Sequence, residues 1–131
     1  MPKFSHISKK KVETCHPLLQ EVINEAINRF DFTVLWGHRA KATQNKFYQK
    51  GTSTKAWPDS KHNVWPSEAI DIAPYPIDWQ DERRFTFLAG IILGIAYMKR
   101  IPMRWGGDWD RDTEVKDNKF NDLGHFELVL P

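Results

Sequence analysis

Two short stretches of this 131-residue chain carry the residue types that hold a catalytic metal ion. In the first, His62 is followed nine positions later by Asp71, inside the apolar run Ala69-Ile70-Asp71-Ile72-Ala73. The second is Asp122-Leu123-Gly124-His125-Phe126-Glu127-Leu128. Catalytic zinc centres take imidazole and carboxylate ligands from separate parts of a chain, three in all, and leave a fourth position to water. Strand alternation puts Asp71 on one face with two alanines, opposite Ile70 and Ile72, which leaves room beside its carboxylate. A buried carboxylate must be paired or bind a cation to offset its desolvation. His125 and Glu127 share a face of the last strand. Asp122, three residues before His125, falls on the other face unless the Leu123-Gly124 turn bends it back.

Blander readings stand beside this one. A lone histidine in a small domain is more often a surface or core residue than a ligand. Arg39 can serve simply as an ion-pair partner at a strand end, with Asp31. Glu127 can be a fourth ligand, a base, or a group that orients a ligand through a hydrogen bond; the last role is preferred. Asp108-Trp109-Asp110-Arg111-Asp112 offers alternating carboxylates as a calcium loop does, but Thr113 and Lys119 stand where an EF-hand needs glycine and glutamate. His6, His16 and His38 have no partners by spacing and are expected at the surface.

The elements that must position these groups are legible in part. Pro17 opens a helix whose apolar stripe (Leu18, Leu19, Val22, Ile23, Ala26, Ile27, Phe30) runs on one side. Phe32–Trp36 reads as a strand ended by Gly37, and residues 40–50 as a polar helix anchored by Phe47 and stopped by Gly51. Residues 52–68 form a long loop that contains His62, and long ordered loops in compact domains are usually functional. Asp78 is placed to cap a helix over about residues 81–100, and Pro102 follows its end. Arg104-Trp105 predicts a short strand, 108–122 an irregular charged stretch, and Phe126–Leu130 the last strand. Residues 1–16 read as a short, weakly specified lead-in. The order predicts an α+β fold with a small, mostly antiparallel sheet flanked by helices, in one domain over residues 1–131.

Composition narrows the function classes. The chain has 19 basic and 17 acidic residues, net +2, without the concentrated basic face of a nucleic-acid binder. Lys9-Lys10-Lys11 reads as a solvated face. A single cysteine, Cys15, excludes an intrachain disulfide and suits synthesis in the cytosol. The N-terminus lacks the apolar core of a signal peptide, and the uncharged run Phe85–Met98 is too short to span a bilayer. Six tryptophans are many for this length, and those in loop sequence (Trp36, Trp57, Trp65, Trp79, Trp109) are placed to line a groove or cover the core.

The pattern Ser60-x-His62, Ala69-x-Asp71, Asp122-x-x-His125-x-Glu127 resembles the zinc peptidases that comprise D-alanyl-D-alanine carboxypeptidases and phage L-alanyl-D-glutamate endopeptidases. Trp105-Gly106-Gly107-Asp108-Trp109 is similar to the turn that phage members carry ahead of the last histidine, and Arg39 sits where the family has a substrate-contacting arginine. The likeness runs from about Pro17 to Leu128. One departure is a longer gap between His62 and Asp71, filled by Trp65-Pro66-Ser67, which is tolerable if it bulges outward.

The resemblance implies the hedgehog/DD-peptidase fold, peptidoglycan stem peptide as substrate, and Zn²⁺ held by His62, Asp71 and His125. It also implies Asp122 as general base and acid and Arg39 and Ser60 as substrate contacts, with Glu127 read as the group that orients His125. The shortness of the chain after His125 leaves little to close one end of a groove, which favours an endopeptidase cutting between L-Ala and D-Glu. A D-Ala-D-Ala carboxypeptidase and a metal-bound, non-catalytic binding domain are the alternatives. The protein is expected to be a monomeric phage lysis enzyme that reaches the wall with help from another protein.

Overall fold

The computed structural model describes residues 2–114 and 122–131. The elements are α1 (His6–Val12), α2 (Pro17–Ala26), β1 (Phe32–Trp36), α3 (Lys41–Gln49), a 3-10 turn (Lys61–Asn63), β2 (Ala69–Pro74), α4 (Glu82–Met98), β3 (Met103–Gly106) and β4 (Asp122–Leu128). The strands form one sheet in the order β1-β2-β4-β3, with every neighbouring pair antiparallel. This is the α+β architecture that the sequence predicts. Among the described residues no helix is long and apolar enough to cross a membrane.

The alternation of β2 and β4 makes the sheet two-faced. Ile70, Ile72, Phe126 and Leu128 are fully buried with Leu88 and Ile92 of α4 and with Leu19, Val22 and Ile23 of α2. Asp71, His125 and Glu127 occupy the opposite face. Burying the large apolar side chains on the helix side, at about 1.5–3 kcal/mol each, fixes the register that brings those polar groups together.

Several elements differ from the sequence expectation. Residues 1–16 are not a loose lead-in: α1 packs on β1, with Val12 and Cys15 in the core. Ser5 caps α1 by accepting from Ser8 N–H at 3.1 Å, and the Lys9-Lys10-Lys11 run closes it, matching the helix dipole. With only Ser8 and Val12 buried, α1 has no apolar stripe to detect. The buried anchor of α3 is Gln44, while Phe47 is half-buried; Gln44 Nε2 donates to Ser53 Oγ (2.9 Å) and Lys55 O (2.6 Å), tying down the long loop. Asp81, not Asp78, caps α4, accepting from Arg84 N–H. The strand β4 begins at Asp122, four residues before the expected start.

The extra residues between His62 and Asp71 do bulge outward. Trp65 is 66% exposed, whereas Ser67 is buried and fastened to the chain after α1 by backbone bonds with Thr14 and His16. Of the charged stretch 108–122, positions 115–121, Lys119 among them, lie outside the described residues.

Candidate active site

Sheet register assembles the site. In one row across the strands Trp36 pairs with Asp71 and Asp71 with His125; in the next row Ala69 pairs with Glu127 and Glu127 with Arg104. Two irregularities make this possible. A register shift between Val34 and Trp36 turns the Trp36 ring out of the core and into the cleft. A second shift lets Gly106 pair with Asp122, so the segment Leu123-Gly124-His125 bows out of β4 and Asp122 comes round to the cleft edge. Glycine is needed in the bow and on the strand beside it. A Cβ on Gly124 would stand 2.4 Å from Ile72 O, and one on Gly106 would stand 2.0 Å from Asp122 O.

His62 arrives from the long loop. Ser60 caps the 3-10 turn, its Oγ accepting from His62 N–H, while Asn63 Oδ1 accepts from Ser60 N–H at 3.1 Å. The ring is then clamped: His62 Nδ1 lies 2.7 Å from Gly37 O, so this nitrogen carries the proton and donates it. Its Nε2 is buried with no hydrogen-bond partner, although Asp71 Oδ2 is 3.1 Å away. An imidazole nitrogen facing a carboxylate at this distance is stabilised by a proton on the ring or by a metal ion held between the two groups.

The ligand atoms of His62, Asp71 and His125 all lie within 4.8 Å of one another. Two imidazoles and one carboxylate form the donor set of a catalytic zinc site, so the residues fit the ion. Asp71 Oδ1 faces His125 Nδ1 at 3.0 Å, and the Nη2 of Arg39 donates to Asp71 Oδ2 at 3.1 Å. Burial alone would raise the Asp71 carboxyl, but His62 and His125 hold it far below the usual carboxylate range. Burial works the other way on His125, and the hydrogen bonds with Asp71 and Glu127 outweigh it, pushing the ring up to about 9.

Glu127 is 4% exposed and fully engaged. Its Oε1 accepts from His125 Nε2 at 2.8 Å, and its Oε2 faces Arg104 Nε (3.0 Å), Arg104 Nη2 (2.9 Å) and Lys61 Nζ (3.4 Å). Against the cost of burial, His125 and Arg104 hold its carboxyl down to about 2. This is the carboxylate–histidine arrangement that orients a metal ligand. Asp122 differs: exposed at the start of β4, its carboxyl is raised by partial desolvation and by the charge of Asp71, against the pull of His125, His62 and Arg39.

These groups line a cleft of about 880 Å³, within the range of small-ligand sites. Arg39 forms part of its wall, packed on Phe47 (5.0 Å) and Trp36 (5.9 Å), with its Nε buried and without a hydrogen-bond partner. Its ionic partner is Asp71, not Asp31. Trp109 covers His125 at 5.4 Å between ring centroids. Sequence reasoning missed Arg104 and Lys61 as partners of Glu127, and Lys11, which reaches the cleft and the Trp36 ring. His16 is not a spare surface group either; its Nδ1 caps α2 at Leu18 N–H. The carboxylates of Asp108, Asp110 and Asp112 also approach one another, but they accept backbone N–H groups of Thr113, Asp112 and Glu114 in a turn.

Comparison with known proteins agrees with the geometry. No protein of curated function matches the chain. Among solved structures, the crystal structure of Serratia marcescens L-Ala D-Glu endopeptidase ChiX superposes with a TM-score of 0.77 at 25% identity, over 96% of this chain and 89% of that one. The family model described as phage L-alanyl-D-glutamate peptidase matches residues 1–129, which includes every group placed in the cleft. With its whole length matched and its His-Asp-His cluster in place, the chain belongs to the phage L-alanyl-D-glutamate peptidase family.

Proposed function

We propose that this chain hydrolyses the L-Ala–D-Glu bond of peptidoglycan as a monomeric zinc peptidase, with His62, Asp71 and His125 as the ligands and Asp122 as general base and acid. The observation that carries it is the buried, unpartnered Nε2 of His62 directed at Asp71, with Nδ1 of His125 on that carboxylate's other oxygen. Zinc at such a site supplies Lewis acidity: it acidifies water and polarises the scissile carbonyl. All of the groups come from one chain, which is why the monomer is sufficient.

The residues divide the remaining work. Asp122 takes a proton from the attacking water and returns it to the departing amine of D-Glu, a transfer that its place at the cleft edge allows. Glu127 cannot do this without giving up three partners, so it holds His125 in orientation. Arg39 fixes Asp71 with one nitrogen and, as part of the cleft wall, offers its guanidinium charge to the substrate, the scissile carbonyl oxygen or the α-carboxylate of D-Glu. Ser60 acts through the turn that presents His62.

Metal analysis of the ligand variants tests the assignment. His62→Ala and His125→Ala should each fail to retain the one zinc that the parent carries, and affinity should fall in acid as the ligands protonate. Full occupancy in either variant would refute the ligand set.

A further inference from the structure

The two ends of the cleft differ in chemistry. Lys61 and Arg104 flank Glu127 at the end beside Ala69. From there β2 runs past Asp71, beside His125, to Pro74, and the loop that follows carries Trp79, which also lines the cleft. Of the aromatic side chains in the cleft, Trp36 and Phe47 pack edge to face and hold Arg39, and Trp109 lies over His125 and beside Arg104. Trp79 is different: it is 61% exposed, yet its ring stacks on buried Phe85 at 5.6 Å and 24°.

Its loop is fixed as well. Arg84 donates to Pro76 O (3.2 Å) and Tyr75 O (3.0 Å), and Asp78 Oδ1 accepts from Gln80 N–H (3.0 Å). The result is an indole set in place with much of its surface open to solvent at the cleft mouth. The stack on Phe85 buries one part of the ring and leaves the rest without apolar cover, and rigid aromatic rings of this kind serve as low-entropy anchors.

We infer that Trp79 is a stacking platform for the N-acetylmuramoyl ring of the glycan. This rests on the proposed reaction. On the acyl side of the L-Ala–D-Glu bond there is one alanine, and its nitrogen is acylated by the lactyl arm of muramic acid. A pyranose ring therefore lies one residue and one short arm from the reacting carbonyl, roughly 7–10 Å for extended units. The D-Glu side of the substrate then runs toward the end with Lys61 and Arg104, and the sugar presents its C–H face to the indole.

Two substrates that differ only in the cap test this: N-acetylmuramoyl-L-Ala-γ-D-Glu-L-Lys and acetyl-L-Ala-γ-D-Glu-L-Lys. The parent should favour the muramoyl substrate in kcat/KM by about tenfold or more, mainly through KM. Trp79→Ala should bring that ratio close to one, and Trp79→Phe should restore part of it. With chelated, inactive protein, calorimetry should show N-acetylmuramoyl-L-alanine binding about tenfold more weakly to Trp79→Ala than to the parent. A parent ratio near one, or a Trp79→Ala ratio equal to the parent's, overturns the inference while leaving the proposed reaction standing. Failure of the parent to cut either substrate would strike at the proposed reaction itself, and the inference would fall with it.

Discussion

Replacing Arg39 with methionine, which keeps much of the stacking surface but no charge, tests whether Asp71 depends on a cation. The two side chains are 7% and 18% exposed and their atoms 3.1 Å apart. Removing one partner of a buried ion pair costs about 3–5 kcal/mol. Asp71 keeps His125 at 3.0 Å and some contact with water, which reduces the expected loss to about 2–3 kcal/mol. For a domain of this length each kcal/mol is worth about 3–5 °C in Tm. Thermal unfolding in chelator should therefore show Arg39→Met melting about 6–15 °C below the parent. With saturating zinc the ion supplies positive charge to the same carboxylate, and the gap should shrink to less than half. An equal gap with and without zinc would refute the reasoning, because it would mean that Arg39 stabilises by packing alone.

Three further outcomes follow from the same geometry. Asp122→Ala should keep its zinc and lose activity by about 10²–10⁴-fold, as expected for loss of general acid–base transfer; an active Asp122→Ala beside a dead, zinc-loaded Glu127→Ala would show the two roles reversed. In competition with a chromogenic chelator, Glu127→Ala should bind zinc about 10–100-fold more weakly than the parent, and unchanged affinity would remove Glu127 from its place behind His125. Cys15, 1% exposed and with its thiol pushed up to about 12 by burial, should resist a thiol reagent at pH 8 until the protein is unfolded. Because the thiol stays protonated in the fold but ionises near 9 in the unfolded chain, stability should also decline as the pH rises above about 9; rapid native labelling would contradict this.

Much of the site was legible because its groups sit in local patterns that a sequence displays. Asp71 between isoleucines and His125 beside Phe126 are strand alternations, and their opposite faces follow from the two-residue period. The pairings that complete the site are long-range. Nothing near Glu127 in the sequence names Arg104 or Lys61, since that row is set by sheet order and by the β4 bow. Asp31 is the carboxylate near Arg39 in sequence, whereas its partner Asp71 lies 32 positions on and is brought to it by the pairing of β1 with β2. Gln44 was hidden for a different reason: a buried amide breaks the apolar rule, and its partners Ser53 and Lys55 lie in a loop without periodicity. The helix α1 escaped notice because a short element with two buried residues carries almost no period.

Metal-dependent cleavage at one bond is the behaviour expected of this site. The direct measurement is digestion of purified peptidoglycan by the parent protein, by protein stripped with chelator, and by stripped protein given back zinc, with new amino ends labelled and identified. Fresh D-Glu amino groups should appear with the parent, vanish on stripping and return with zinc. Release of D-Ala without D-Glu ends, or undiminished cleavage by the stripped protein, would contradict the account.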